Sequence, residues 1–150
     1  MKPARALAMA VLAAACTPGP PEPAALDTRD ESCGFCRMAV SEARFASQIA
    51  APSEEPRFFD DIGCLAHYLS AGPKLPRDAV AFVADHRTRT WVRADRAVYT
   101  RVDALGTPMG SHLIAHADAA SRDADPDTAG GRPQTPAEVF GPGGPPRGDR

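Results

Sequence analysis

Proline and glycine crowd both ends of this chain and leave its middle to do the folding. Pro18, Gly19, Pro20, Pro21 and Pro23 interrupt the backbone near the start, and Gly141, Pro142, Gly143, Gly144, Pro145 and Pro146 near the finish. Neither stretch can carry a regular ladder or a helix interior, because proline lacks the donor and glycine lacks the stiffness. Residues 16–30 therefore read as a Pro-rich tether, and residues 141–150 as a disordered polar tail. Roughly 110 residues between them can pack, the size of one small domain. The chain is 43% apolar, which is enough for a core. Its formal net charge of −2 supplies no basic field, so nucleic acid is excluded as a partner.

Residues 1–15 read as an address. Lys2 and Arg5 precede an apolar run of ten residues, Ala6 to Ala15. About 20 are needed to cross a bilayer as a helix, so the run fits a signal peptide. Small residues lead directly to a cysteine in Leu12-Ala13-Ala14-Ala15-Cys16, which resembles a bacterial lipobox with Cys16 as the lipidated residue. Simple cleavage after Ala15, leaving Cys16 as a spare thiol, is the alternative. Either way the protein is expected outside the cytoplasm, where thiols tend to be bridged or metal-bound.

Local signals then give an order of elements. Residues 45–51 and Phe58-Phe59 read as strands. Asp60-Asp61 reads as a helix N-cap pair. Ile62, Leu65, Ala66 and Leu69 form one helical stripe, closed by Gly72-Pro73. Residues 80–84 (VAFVA) are a buried-strand run, and residues 91–102 hold one or two strands. Residues 112–117 are another short run. Residues 119–129 are helical up to Pro126, and Val139-Phe140 reads as a last strand. Strand, strand, helix, strand, followed by a weaker copy, predicts an α+β fold. Two small units are expected within 31–140, about 31–88 and 89–140.

The chemistry concentrates in Cys33-Gly34-Phe35-Cys36-Arg37-Met38. C-x-x-C spacing lets both thiols face one ion from a tight turn. Structural zinc needs four ligands, so it would need Cys64 and a histidine. A thiol–disulfide enzyme needs the pair at a helix start after a strand, which is not read here. A plain disulfide among Cys33, Cys36 and Cys64 also stays open. Met38 favours a softer ion, because a neutral thioether is a poor ligand for zinc and a good one for Cu(I). Met109, in Thr107-Pro108-Met109-Gly110-Ser111, sits in a turn rather than a core strand. His112 and His116 follow it and share a face of a strand. On the helix, Cys64 falls away from the apolar stripe and is not an obvious core thiol. Asp60 and Asp61 are read as caps rather than ligands.

Four motifs in order, CGFCRMAV (33–40), RFASQI (44–49), FDDIGCL (59–65) and TPMGS (107–111), resemble the NosL family. The family is one of accessory lipoproteins of nitrous oxide reductase maturation. The resemblance implies a pair of ββαβ units and a membrane-anchored Cu(I) metallochaperone, not an enzyme. It implies residence on the periplasmic side of a bacterial membrane, the outer membrane by expectation. Partners would be nitrous oxide reductase and its membrane copper-assembly complex. The family's C-x-M pair falls on Cys36 and Met38, and its TPMGS methionine on Met109, as Cu(I) ligands. Cys33 and Cys64 belong to a subset pattern, and His112 and His116 are additional candidates. Many relatives have Gly where this chain has Arg37, a small residue in place of His112, and an aromatic in place of His116. A periplasmic thiol–disulfide protein using Cys33 and Cys36 is the rival reading.

Overall fold

Strand pairing divides the chain into two antiparallel sheets. The computed structural model describes residues 19–148. In the first sheet, β1 (Ser47–Ala50) lies between β2 (Arg57–Phe59) and β3 (Val80–Ala84), and β4 (Trp91–Arg93) adds to the far side of β3. Helix α1 (Ile62–Ser70) connects β2 to β3. In the second, β5 (Val98–Arg101) lies between β6 (Leu113–His116) and β7 (Arg132–Gln134). The β6–β7 connection holds α2 (Ala119–Asp123) and a 3₁₀ turn, Pro126–Thr128. Each unit is thus strand, strand, helix, strand with its first strand in the centre. The expected α+β pair of ββαβ units is what the chain forms. The addition is β4, which returns from β3 through a turn closed by the Asp85 N–H on the Thr90 carbonyl at 2.8 Å.

The ends differ most from the sequence reading. Val139 and Phe140 lie in a helix, α3 (Pro136–Phe140), not in a last strand, and the last strand is β7. Thr135 caps α3 by accepting from the Glu138 N–H, Glu138 returns the bond to the Thr135 N–H, and Pro136 opens the first turn. That reciprocal box outweighs two apolar residues with no partner strand. The expected tether is held from Ala24 onward: buried Gln48 accepts from the Ala24 N–H at 2.9 Å and donates to its carbonyl at 3.0 Å. Ala24 and Leu26 pack on the core. At the other end, the Ala81 N–H donates to the Pro146 carbonyl at 2.8 Å and the Gly148 N–H to the Ala79 carbonyl at 2.9 Å.

The two units share one core. Phe59, Ile62 and Leu65 from the first meet Tyr99, Leu113 and Ala115 from the second. The seam is also stitched by backbone: Asp85 and Ala115 form a parallel bridge, and the His86 N–H donates to the Ala115 carbonyl at 2.8 Å. The buried Asp85 carboxylate closes it, accepting from the Arg87 and Thr88 N–H groups on one oxygen and from the Ala117 N–H on the other. Among the described residues no helix is long and apolar enough to cross a membrane.

Candidate metal centre

The C-x-x-C segment is a tight hairpin. Ser32 and Ala39 pair across it, the Cys33 N–H donates to the Met38 carbonyl at 2.7 Å, and the Arg37 N–H donates to the Cys33 carbonyl at 3.1 Å. Arg37 turns the corner in the left-handed region, at φ +68°. The loop is fastened to β2 by the Gly34 N–H on the Phe58 carbonyl at 2.8 Å. Gly34 is needed there, since a Cβ would come within 2.6 Å of the Arg57 side chain and 3.2 Å of the Phe59 ring. The turn points the Met38 N–H at the Cys36 sulfur, a bond that favours the thiolate.

Helix α1 brings the third thiol. Its entire first turn, Ile62, Gly63, Cys64 and Leu65, is buried. Cys64 is therefore a core thiol after all, because this turn is enclosed on more than the stripe side. Cys33, Cys36, Cys64 and Asp60 place their ligand atoms within 4.8 Å of one another. All three cysteines are free. The Asp60 carboxylate, 2% exposed, accepts from the Cys36 thiol at 3.4 and 3.5 Å. Burial pushes the Cys36 thiol up, outweighing the Met38 bond, with Cys33 and Asp60 adding to the rise. Burial likewise drives the Cys64 thiol far up, helped by Asp60 and Cys33. Without an ion the Cys36 and Cys64 sulfurs hold their protons, so a metal bound there must release them.

The next residue, Asp61, does two jobs. One carboxylate oxygen caps α1 by accepting from the Gly63 N–H at 2.6 Å. The other accepts from the Thr107 hydroxyl at 2.7 Å and the Met109 N–H at 3.0 Å. A fully buried carboxylate thus fixes the Thr107–Ser111 loop of the second unit to the helix of the first. Met109, Phe35 and Cys64 line one cleft of about 510 Å³ between the units. Phe35 stacks on His67 at 5.5 Å. Three large apolar side chains stand exposed among the described residues: Phe35 at 44%, Met38 at 57% and Met109 at 45%. Two belong to the hairpin and the third faces it across the cleft.

Compared with known families, residues 23–139, more than three quarters of the chain, match the NosL family model. The chain belongs to the NosL family. No curated protein and no solved structure matches it. NosL is a copper-binding accessory family and not a known enzyme family, and the cluster of Cys33, Cys36, Cys64 and Asp60 could hold a metal ion.

Against the residues singled out from sequence, the NosL chain unites Cys33, Cys36 and Cys64, and sets Met109 on the cleft beside Cys64. Met38 lies in the same hairpin with its side chain in solvent. His112 is turned away: its Nδ1 bonds the Leu105 carbonyl at 2.7 Å, and its backbone is left-handed at φ +59°. His116 is fully buried in a different cluster, against Asp125. Cys16 lies outside the described residues. Asp60 was missed as a cluster member, because a Asp-Asp pair before a helical stripe reads as capping, and only one of the two caps.

Proposed function

We propose that this NosL protein is a Cu(I) metallochaperone. It is anchored through lipidated Cys16 on the periplasmic side of the outer membrane and hands copper to the assembly complex that matures nitrous oxide reductase. One observation carries the reading. The only large apolar side chains left exposed among the described residues are a phenylalanine and two methionines around a three-thiol cluster whose Cys33 and Cys64 are buried. Leaving two thioethers in solvent costs hydrophobic stabilisation, and it makes sense as a soft-metal entrance.

The donor set suits the cargo. Cys36 supplies the charge, Met38 and Met109 complete a partly open sulfur site, and Cys33 and Cys64 stand behind it. Asp60, a hard oxygen ligand ill suited to Cu(I), accepts the thiol hydrogen in the unloaded state. Neutral thioethers at the rim can be replaced one at a time by a partner's ligands. The rival dithiol reading needs an exposed, acidified thiol. Here Cys33 is fully buried and burial raises Cys36, so the site is built the opposite way.

The test is anaerobic Cu(I) binding by the reduced chain against a competing chelator, with Met109→Leu and Cys36→Ser in parallel. One tightly held Cu(I), at least tenfold weaker in Met109→Leu and lost in Cys36→Ser, is the expected result. Equal affinity in all three proteins would refute the ligand assignment, and insulin-reductase activity without metal would move the dithiol reading ahead.

A further inference from the structure

A second group of ligand-type side chains lies on the seam between the units and has no part in the sulfur site. His86 follows β3, His116 ends β6, and Asp125 precedes the 3₁₀ turn of the β6–β7 connection. All three are buried, at 4%, 0% and 5% exposure. His86 Nδ1 and His116 Nε2 approach the same carboxylate oxygen, Asp125 Oδ2, at 2.8 and 2.9 Å. The other oxygen, Oδ1, accepts from the Asp127 N–H at 3.0 Å. One ligand atom from each residue lies within 4.8 Å of the others.

Two imidazoles on one carboxylate oxygen leave a debt. Each ring spends its N–H on Asp125 and keeps a bare nitrogen on its far side. Four buried side-chain polar atoms among the described residues have no hydrogen-bond partner, and two of them are His86 Nε2 and His116 Nδ1. These atoms lie on the far sides of the rings, so the ring nitrogens that converge beside Asp125 are His86 Nδ1 and His116 Nε2. The rings are held in place by more than the carboxylate. Phe45 packs on His86 at 5.2 Å, the His116 ring meets it edge-on at 6.2 Å, and the Thr128 hydroxyl fixes the Asp125 carbonyl at 2.7 Å.

We propose that His86, His116 and Asp125 form a binding site for a divalent transition ion of the Zn²⁺ type, distinct from the sulfur cluster. Two imidazoles and one carboxylate are the borderline nitrogen and oxygen donors that such ions take, and that Cu(I) does not prefer over sulfur. Ligand atoms about 3.3 Å apart around an ion at about 2.1 Å require the three groups to open by only about half an ångström. Binding needs no net loss of protons from neutral rings. Each ring changes tautomer: the proton on the nitrogen facing Asp125 is replaced by one on the far nitrogen of the same ring, and the lone pair freed beside Asp125 binds the ion. At His86 that new donor faces Asp127 Oδ2, now 3.9 Å away. A carboxylate behind a ligating imidazole is the usual support for a metal-bound histidine. His116 Nδ1 has no such partner in the unloaded structure. The ligands come from both units, so the ion would bind the seam together and leave the cleft free for copper.

The experiment is long-range ¹H–¹⁵N spectroscopy of the histidine rings in the full reduced chain, titrated with Zn²⁺ beyond one equivalent. It reads the ring tautomers directly in the unaltered protein. Expected is a shift of His86 Nδ1 and His116 Nε2 to metal-bound values, their protons appearing on the opposite nitrogens, with a rise in Tm. In Asp125→Asn the His116 change should be lost. Rings that stay unchanged in excess Zn²⁺, or changes confined to His67 and His112, would overturn the site, whatever the thiols bind.

Discussion

At the scale of single residues, Asp61 is the most exacting position in the molecule. Its two oxygens serve different units, so asparagine cannot replace it: the amide has one acceptor and brings a donor to face another donor. Asp61→Ala should destabilise the fold by about 1–3 kcal/mol, the usual cost of stranding buried donors. Amide exchange at Met109 should quicken more than exchange in β1, which would show that the Thr107–Ser111 loop has loosened rather than the whole domain. Arg37 makes a second residue-scale test. A non-glycine residue in the left-handed region costs about 1–2 kcal/mol, while glycine costs about 0.5–1 kcal/mol through the unfolded chain. Arg37→Gly should leave Tm unchanged or slightly higher, and Arg37→Val should lower it, in thermal unfolding followed by circular dichroism. The φ of +68° supplies the reason for both expectations.

Among the elements, α1 does the most for the site, and the closeness of its first turn to the second unit is its most testable feature. A Cβ added at Gly63 would come within 2.7 Å of the Ser111 Cβ. Gly63→Ala should therefore cost about 1–3 kcal/mol as an overpacked contact. Adding Ser111→Gly to it should recover part of the loss in denaturant unfolding, because the two changes meet at one contact. The elements also show what could be read in advance. Helix α1 was legible from its stripe, its aspartate cap and Gly72-Pro73; the strands were legible from short apolar runs, except β7, Arg132-Pro133-Gln134, which has no such run and gave no signal. Helix α3 was not, since Val139-Phe140 drew the eye and the box in Thr135-Pro136-Ala137-Glu138 went unused. The three cysteines could be named as candidates, but not their convergence, because the hairpin and the helix meet only through the packing of β2. Asp60 stayed hidden for the same reason. His86, which shares Asp125 with His116, carried no signal at all: its partners lie 30 and 39 positions away.

The whole molecule depends on one seam, and Asp85 makes it sensitive to acid. Burial alone would raise this carboxyl, but hydrogen bonds from the Ala117 and Thr88 N–H groups and from Ser121 prevail and lower it to about 2. A carboxyl lower in the folded than in the unfolded state stabilises the fold above its ordinary value of 3.8 and loses that contribution as the pH falls towards 2. The difference amounts to about 2 kcal/mol. Unfolding free energy should fall by at least that amount between pH 4 and pH 2 in the parent protein, since Asp125 is lowered as well, and the decline should be shallower in Asp85→Asn. Two units that unfolded separately would instead give two transitions, only one of them affected by the substitution. The shared core across Leu65, Tyr99 and Leu113 predicts one.

The grip of Gln48 on Ala24 sets the length of a leash. If lipid is attached at Cys16, only eight residue steps separate the membrane from the first fixed point of the fold. Fully drawn out, that span reaches about 28 Å. A domain so closely moored would stay within reach of the membrane that holds it. On the proposed reading, a partner would have to come to that surface, and lengthening the leash should change which partners can be reached without changing metal affinity.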